Sequence, residues 1–122
     1  TSVIESHRIK PSDVKMIDNY EVFNIRNAAT NLTEIIGDAA RSDGDGDYPI
    51  RIYTIGMGAL VRCAMGTIPE TSESVLKRLA NDEQSPDFNN NQLAGKYYYA
   101  QTAADVGPAF QQLQSQIVRL SK

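Results

Sequence analysis

From about residue 19, apolar side chains recur at helical spacing. Val22, Ile25, Ala29, Leu32, Ile36 and Ala39 are separated by 3, 4, 3, 4 and 3 positions, which lines all six along one stripe of an α-helix. Asn24, Asn27, Thr30, Asn31 and Glu34 fall on the other faces. The helix is expected to end near Arg41, because Ser42, Asp43, Gly44, Asp45, Gly46 and Asp47 come next and both glycines favour a turn. The period then changes. Ile50, Ile52 and Thr54 alternate with Arg51, Tyr53 and Ile55, so apolar or aromatic groups point both ways. That predicts an interior strand covered on both faces.

Residues 59–70 lack a clear period and close on Ile68, Pro69 and Glu70, which predicts a loop. Thr71 or Ser72 then suits the N-cap of a short helix that carries Val75, Leu76, Leu79 and Ala80 inward. A polar run of turn-formers from Asn81 to Asn91 stops it. Lys96, Tyr97, Tyr98, Tyr99 and Ala100 predict a short strand of high β-propensity. In the last segment Val106, Phe110, Leu113, Ile117 and Leu120 repeat at 4, 3, 4 and 3, a second helix stripe. Asp105 suits its N-cap, with the carboxylate at the positive end of the helix dipole, and Pro108 is tolerated in a first turn. Helix, strand, helix, strand, helix is the order of an α/β fold with parallel strands. Ahead of it, residues 1–18 carry only the apolar pair Val3 and Ile4 and a break at Lys10-Pro11-Ser12-Asp13. They are expected to form an irregular arm or a long loop, leaving residues 19–122 as the domain.

Composition narrows the function classes. A length of 122 residues suits a single domain or part of a slightly larger one. Twelve basic against 15 acidic side chains give a net charge of −3, without the broad basic footprint of a nucleic-acid binder. The single cysteine, Cys63, excludes an internal disulfide framework and an ordinary cysteine-based zinc site. No apolar run approaches the roughly 20 residues of a membrane span. The chain opens on Thr1-Ser2 without an initiator Met, as expected of a processed product or a piece of something longer.

Ile50-Arg51-Ile52-Tyr53-Thr54-Ile55-Gly56-Met57-Gly58, then Leu76 to Ala80, then Tyr97-Tyr98-Tyr99-Ala100 and the helix over residues 105–120 together resemble the C-terminal half of a von Willebrand factor A domain. More narrowly, these stretches resemble TadG-like proteins of bacterial Tad (Flp) pilus assembly, over roughly residues 20–122. The resemblance implies a Rossmann-like three-layer α/β sandwich, present as its C-terminal portion. It further implies a non-catalytic assembly module of the bacterial cell envelope, extracytoplasmic, with protein partners: other pilus assembly components or the N-terminal half of the domain. A membrane would be engaged only through a segment outside this chain. The sequence departs from the metal-binding members, because it contains neither Asp-x-Ser-x-Ser nor an apolar strand ending in Thr-Asp-Gly. No metal residue carries over, and neither a catalytic residue nor a cofactor is assigned.

Other constellations are weaker. Asp43, Asp45 and Asp47 alternate as in the start of a calcium loop, but Tyr48 and Thr54 stand where an EF-hand needs Gly and Glu; a solvated turn is expected. Gly56 and Gly58 come after a strand, as in a dinucleotide fingerprint, yet Val61 replaces the third glycine. They support an alternative function, a Rossmann-like nucleotide- or phosphate-binding enzyme domain. His7, the sole histidine, lies in the least patterned stretch, and only spacing permits a pair with Cys63. Asn31-Leu32-Thr33 fits a glycosylation acceptor but falls within a helix. Tyr97, Tyr98 and Tyr99 are expected to fill the core rather than stack on bases. Finally, the strand at residues 50–55 reads as central while its neighbour is not evident in the chain. An open edge of this kind invites another copy or the other half of the domain.

Overall fold

In a computed structural model the described residues are 22–43, 50–65 and 68–120. The chain divides into two units, Thr1–Ile50 and Arg51–Lys122. The expected arm at residues 1–18, with His7, lies outside the described residues, as do positions 44–49 of the acidic loop.

In the first unit, helix α1 spans Val22–Ser42, close to its expected bounds, and ends with Arg41 in the last turn, where a cation complements the helix dipole. Its orientation reverses the expectation. Leu32 and Ile36 are exposed, at 57% and 60%, whereas Asn31 and Glu34 are buried. Hydrophobic spacing decides which residues share a face, but not which face receives a cover. Here the covered side is the one carrying Asn31, Glu34 and Gly37.

The second unit is a β-α-β crossover with a further helix. Strand β1, Tyr53–Met57, leads through a single 3-10 turn at Ala59–Arg62 into a small antiparallel pair, β2 (Ala64–Met65) and β3 (Ile68–Thr71). Helix α2 comes next at Ser72–Ala80, then strand β4 at Lys96–Ala100 and helix α3 at Ala103–Leu120. β1 and β4 pair in parallel, from Tyr53 opposite Lys96 to Met57 opposite Ala100. The protein is therefore mixed α/β with a small parallel sheet. β1 begins at Tyr53 rather than Ile50 because β4 begins at Lys96, and a ladder needs a partner. Just ahead of the ladder, Arg51 Nη1 instead donates to the carbonyl of Ala94 at 2.6 Å. The β2–β3 pair replaces the loop expected over residues 59–70; strands this short leave no readable period.

Local chemistry sets the ends of α2. Thr71 Oγ1 accepts from the N–H of Ser74 at 3.2 Å, making Thr71 the N-cap. Asn81 closes the helix in the left-handed region, φ 52°, which asparagine tolerates better than most residues. Ala80 is fully buried, and Val75, Leu76 and Leu79 are half-buried.

Helix α3 starts two residues earlier than expected. Asp105 Oδ2 accepts from the N–H of Thr102 at 2.9 Å and from its hydroxyl at 2.7 Å. Asp105 thus reaches back from the first turn in a capping-box arrangement instead of forming the N-cap itself. Pro108 consequently sits inside the helix and leaves the carbonyl of Ala104 without its helical N–H partner.

The packed face of α3 is also rotated from the sequence expectation. Ala109 is buried at 4%, while Phe110 is 56% exposed and Ile117 and Leu120 are largely exposed. Two strands about 4.8 Å apart offer a face narrower than a helix of about 10 Å diameter. Only one side of the apolar stripe finds cover: Val106 and Leu113 are half-buried in line with the buried Ala109, while Phe110 and Ile117 on the other side stay exposed.

Candidate functional site

Thr54 Oγ1 donates to the carbonyl of Leu76 at 2.9 Å, so the Thr54 and Tyr97 face of the sheet lies under α2. Tyr53, Lys96 and Tyr98 line a groove with α3 on the other face. Above the α2 side sits a charged cluster. Glu73 Oε2 accepts from Arg62 Nε at 2.9 Å and from Tyr97 Oη at 3.5 Å, and Lys77 Nζ is 3.2 Å from its Oε1. The Arg62 guanidinium also stacks 3.5 Å from the centre of the Tyr99 ring, a cation–π contact. Burial acts to raise the Glu73 pKa, but the hydrogen bonds and charges of Arg62 and Lys77 outweigh it, and the net shift is downward. Burial first, then the Glu73 charge, push the Tyr97 phenol up to about 12. At neutral pH that phenol is a proton donor to Glu73 and no general base. The cluster clamps the 3-10 turn and α2 onto β4.

A second polar hub holds the connection from α2 to β4. Asp82 is 1% exposed; its Oδ2 accepts the N–H of Tyr97 and its Oδ1 the N–H of Gln84, each at 2.8 Å. Asn81 Oδ1 accepts the N–H of Asn89 at 2.8 Å, while its Nδ2 donates to the carbonyl of Asn89 at 2.9 Å and those of Gln92 and Leu93 at 3.3 Å. Arg78 pairs with Glu70, lies 3.8 Å from Asp87 and donates to Ser74 Oγ at 3.1 Å. The stretch that reads as a run of turn-formers is therefore organised by two buried side chains. The only hint in the sequence is that Asn81-Asp82 directly succeeds the helix.

These contacts make the two edges of the sheet unlike. The N–H of Gly58 donates to Ala100 at 2.9 Å, so by alternation Thr54 and Gly56 turn their backbone groups toward β4, and Tyr53, Ile55 and Met57 turn theirs away. On β4 the outward residues are Tyr97 and Tyr99, and there the Asp82 carboxylate occupies the Tyr97 N–H. Among the described residues no strand pairs with the outer edge of β1. Beside that edge Met57 is 60% exposed. The open edge and the exposed flank of α3 are the candidate functional surface.

The remaining sequence candidates do not converge on it. Gly56 is buried, and a Cβ there would meet the Tyr97 ring, 2.9 Å from Cε2. Gly58 has φ 82°, a value that favours glycine. Packing and backbone conformation thus account for both glycines, and Gly58 opens into one 3-10 turn rather than a phosphate-binding helix. Cys63 is exposed, with its Sγ 3.7 Å from the carbonyl of Ala59. Asn31 is buried within α1. Asp43, the one described member of its acidic run, is exposed. Among the described residues, no three His, Cys, Asp or Glu side chains are grouped to hold a metal, and no helix is long and apolar enough to cross a membrane.

Comparison with known proteins adds little to this geometry. No protein-family profile matches the chain, and no solved structure matches it. A 34-residue stretch, 28% of the chain, is 59% identical to the chemotaxis protein CheA of Treponema pallidum (strain Nichols) and spans 4% of that protein's length.

Proposed function

We propose that this chain is a non-catalytic interaction and assembly module, the C-terminal portion of a von Willebrand factor A-like, Rossmann-type domain. Its proposed setting is a TadG-like protein of Tad pilus biogenesis, on the extracytoplasmic side of the bacterial envelope. The observation that carries this proposal is the inequality of the two sheet edges. Asp82 occupies the outer edge of β4, whereas the β1 edge presents backbone donors and acceptors beside exposed apolar side chains. Its partners would then be proteins that add a strand, through backbone pairing. The von Willebrand-like element order, β1, α2, β4 and α3 with parallel pairing, supports the fold assignment.

Two measurements test the proposal. Affinity capture from envelopes of a Tad-piliated bacterium carrying a tagged copy is expected to recover pilus assembly proteins; recovery of none of them contradicts the pilus setting. Nucleotides are expected to leave the melting temperature unchanged, and a saturable rise would favour the enzyme alternative at Gly56 and Gly58.

A further inference from the structure

We propose that the β1 edge is a self-association surface, and that its occupant is β1 of a second copy of this chain. The inference rests on the reading of the chain as an interaction module and names one partner. Strand β1, Tyr-Thr-Ile-Gly-Met, contains no charge and no proline, the devices by which exposed edges ordinarily block pairing. β4, in contrast, carries Lys96 and is met by Asp82.

The outward backbone groups of Tyr53, Ile55 and Met57 are symmetric about Ile55. A two-fold axis normal to the sheet at Ile55 therefore satisfies all of them. Ile55 pairs with its mate, and Tyr53 of each copy exchanges hydrogen bonds with Met57 of the other, as in an antiparallel ladder.

The same axis accounts for the exposed side of α3. Gln112, Ser115 and Arg119 lie on the helix flank that lines the groove with Asp82 and Lys96, at the β4 side. By helical geometry Phe110 and Ile117 lie on the opposite flank, at the β1 side, where they are 56% and 44% exposed. An axis normal to the sheet keeps both α3 helices on one face, so these residues meet their counterparts above the joined strands. One operation thus covers the unpaired edge and the uncovered apolar flank together.

Sedimentation of the full chain across the micromolar range, combined with amide hydrogen exchange, tests this. The expected result is a monomer–dimer transition in which the amides of Tyr53, Ile55 and Met57 gain protection as concentration rises. Phe110→Lys is expected to weaken the dimer at least about tenfold with an unchanged circular dichroism spectrum. Ile55→Pro, which removes an N–H that points away from β4, should do the same. A wild-type chain that stays monomeric overturns the inference. So does a dimer that Phe110→Lys leaves intact, or protection of the three amides that does not vary with concentration, because another segment then covers the edge. Those results leave the interaction-module reading standing, whereas saturable nucleotide binding would overturn that reading and not the dimer.

Discussion

The carboxylate of Asp82 accepts the backbone N–H of Tyr97 at 2.8 Å, in the place a neighbouring strand would otherwise occupy. A side chain from the preceding loop thus terminates the sheet at β4. Asp82 is the largest side chain among the fully buried described residues, and its partners include the N–H of Gln84 and the ammonium of Lys96 at 3.6 Å. Asp82→Ala strands two backbone donors, each costing about 1–3 kcal/mol if it stays buried. Urea unfolding should show a loss in that range or above. A change under about 0.5 kcal/mol, typical of an unimportant surface site, would mean that water takes over both donors and that Asp82 does not hold the edge.

Gly56 and Tyr97 share one space. A methyl group at position 56 would press on the Tyr97 ring, 2.9 Å from Cε2 and closest to the hydroxyl. Gly56→Ala is expected to destabilise the protein by about 1–3 kcal/mol, the usual cost of overpacking. In Tyr97→Phe the hydroxyl is gone, so a double-mutant cycle should recover part of that loss. Additive effects would show that the backbone conformation, rather than the ring, demands glycine.

Two groups give stability opposite dependences on pH. The Glu73 pKa is lowered in the folded chain from the ordinary 4.5. The unfolded state therefore binds more protons in acid, and the contribution of Glu73 is present above 4.5 and lost as pH falls through the folded value. The Tyr97 pKa is raised from 10.0 to about 12. Its contribution is present below 10 and lost as pH rises toward 12, where the folded state holds the extra proton. Urea midpoints measured against pH should fall at both ends. Glu73→Gln should flatten the acid limb and Tyr97→Phe the alkaline one; limbs unchanged by either substitution would remove both residues from the account.

Ala109 should carry the packing role that hydrophobic spacing assigns to Phe110. Ala109→Leu puts a large side chain at the buried position of α3, and is expected to cost about 1–3 kcal/mol. Phe110→Ala should change the stability of the monomer by about 0.5 kcal/mol or less, its effect falling on self-association. Thermal unfolding at low concentration separates the two. A large loss for Phe110→Ala would place the ring in the core, as the spacing alone predicts.

Much of the order of elements was legible in the sequence, because local forces set it. Strand β4 lies where its tyrosine run predicts, Thr71 caps α2 as its hydroxyl allows, and a final helix forms over the segment that the apolar period marks. These features depend on residues within a few positions of one another. Burial could not be read in the same way. Leu32, Ile36, Phe110 and Ile117 lie on periodic stripes and yet are exposed, whereas Asn31, Glu34, Arg78, Asn81 and Asp82 are buried. A period specifies a shared face, but cover comes from elements distant in the chain, and a two-stranded sheet is too narrow to cover a whole helix stripe.

The sequence by itself determined an α/β succession, the absence of a cysteine framework and a tyrosine-rich strand ahead of the last helix. Only the tertiary structure decided that the polar run after α2 is a buried hub, that Gly56 answers to Tyr97, and that the two edges of the sheet differ. The reason is the range of the interactions: Asp82 reaches Tyr97 across 15 residues and Gly56 meets Tyr97 across 41. Chain folding creates such contacts, and no local pattern of residues encodes them.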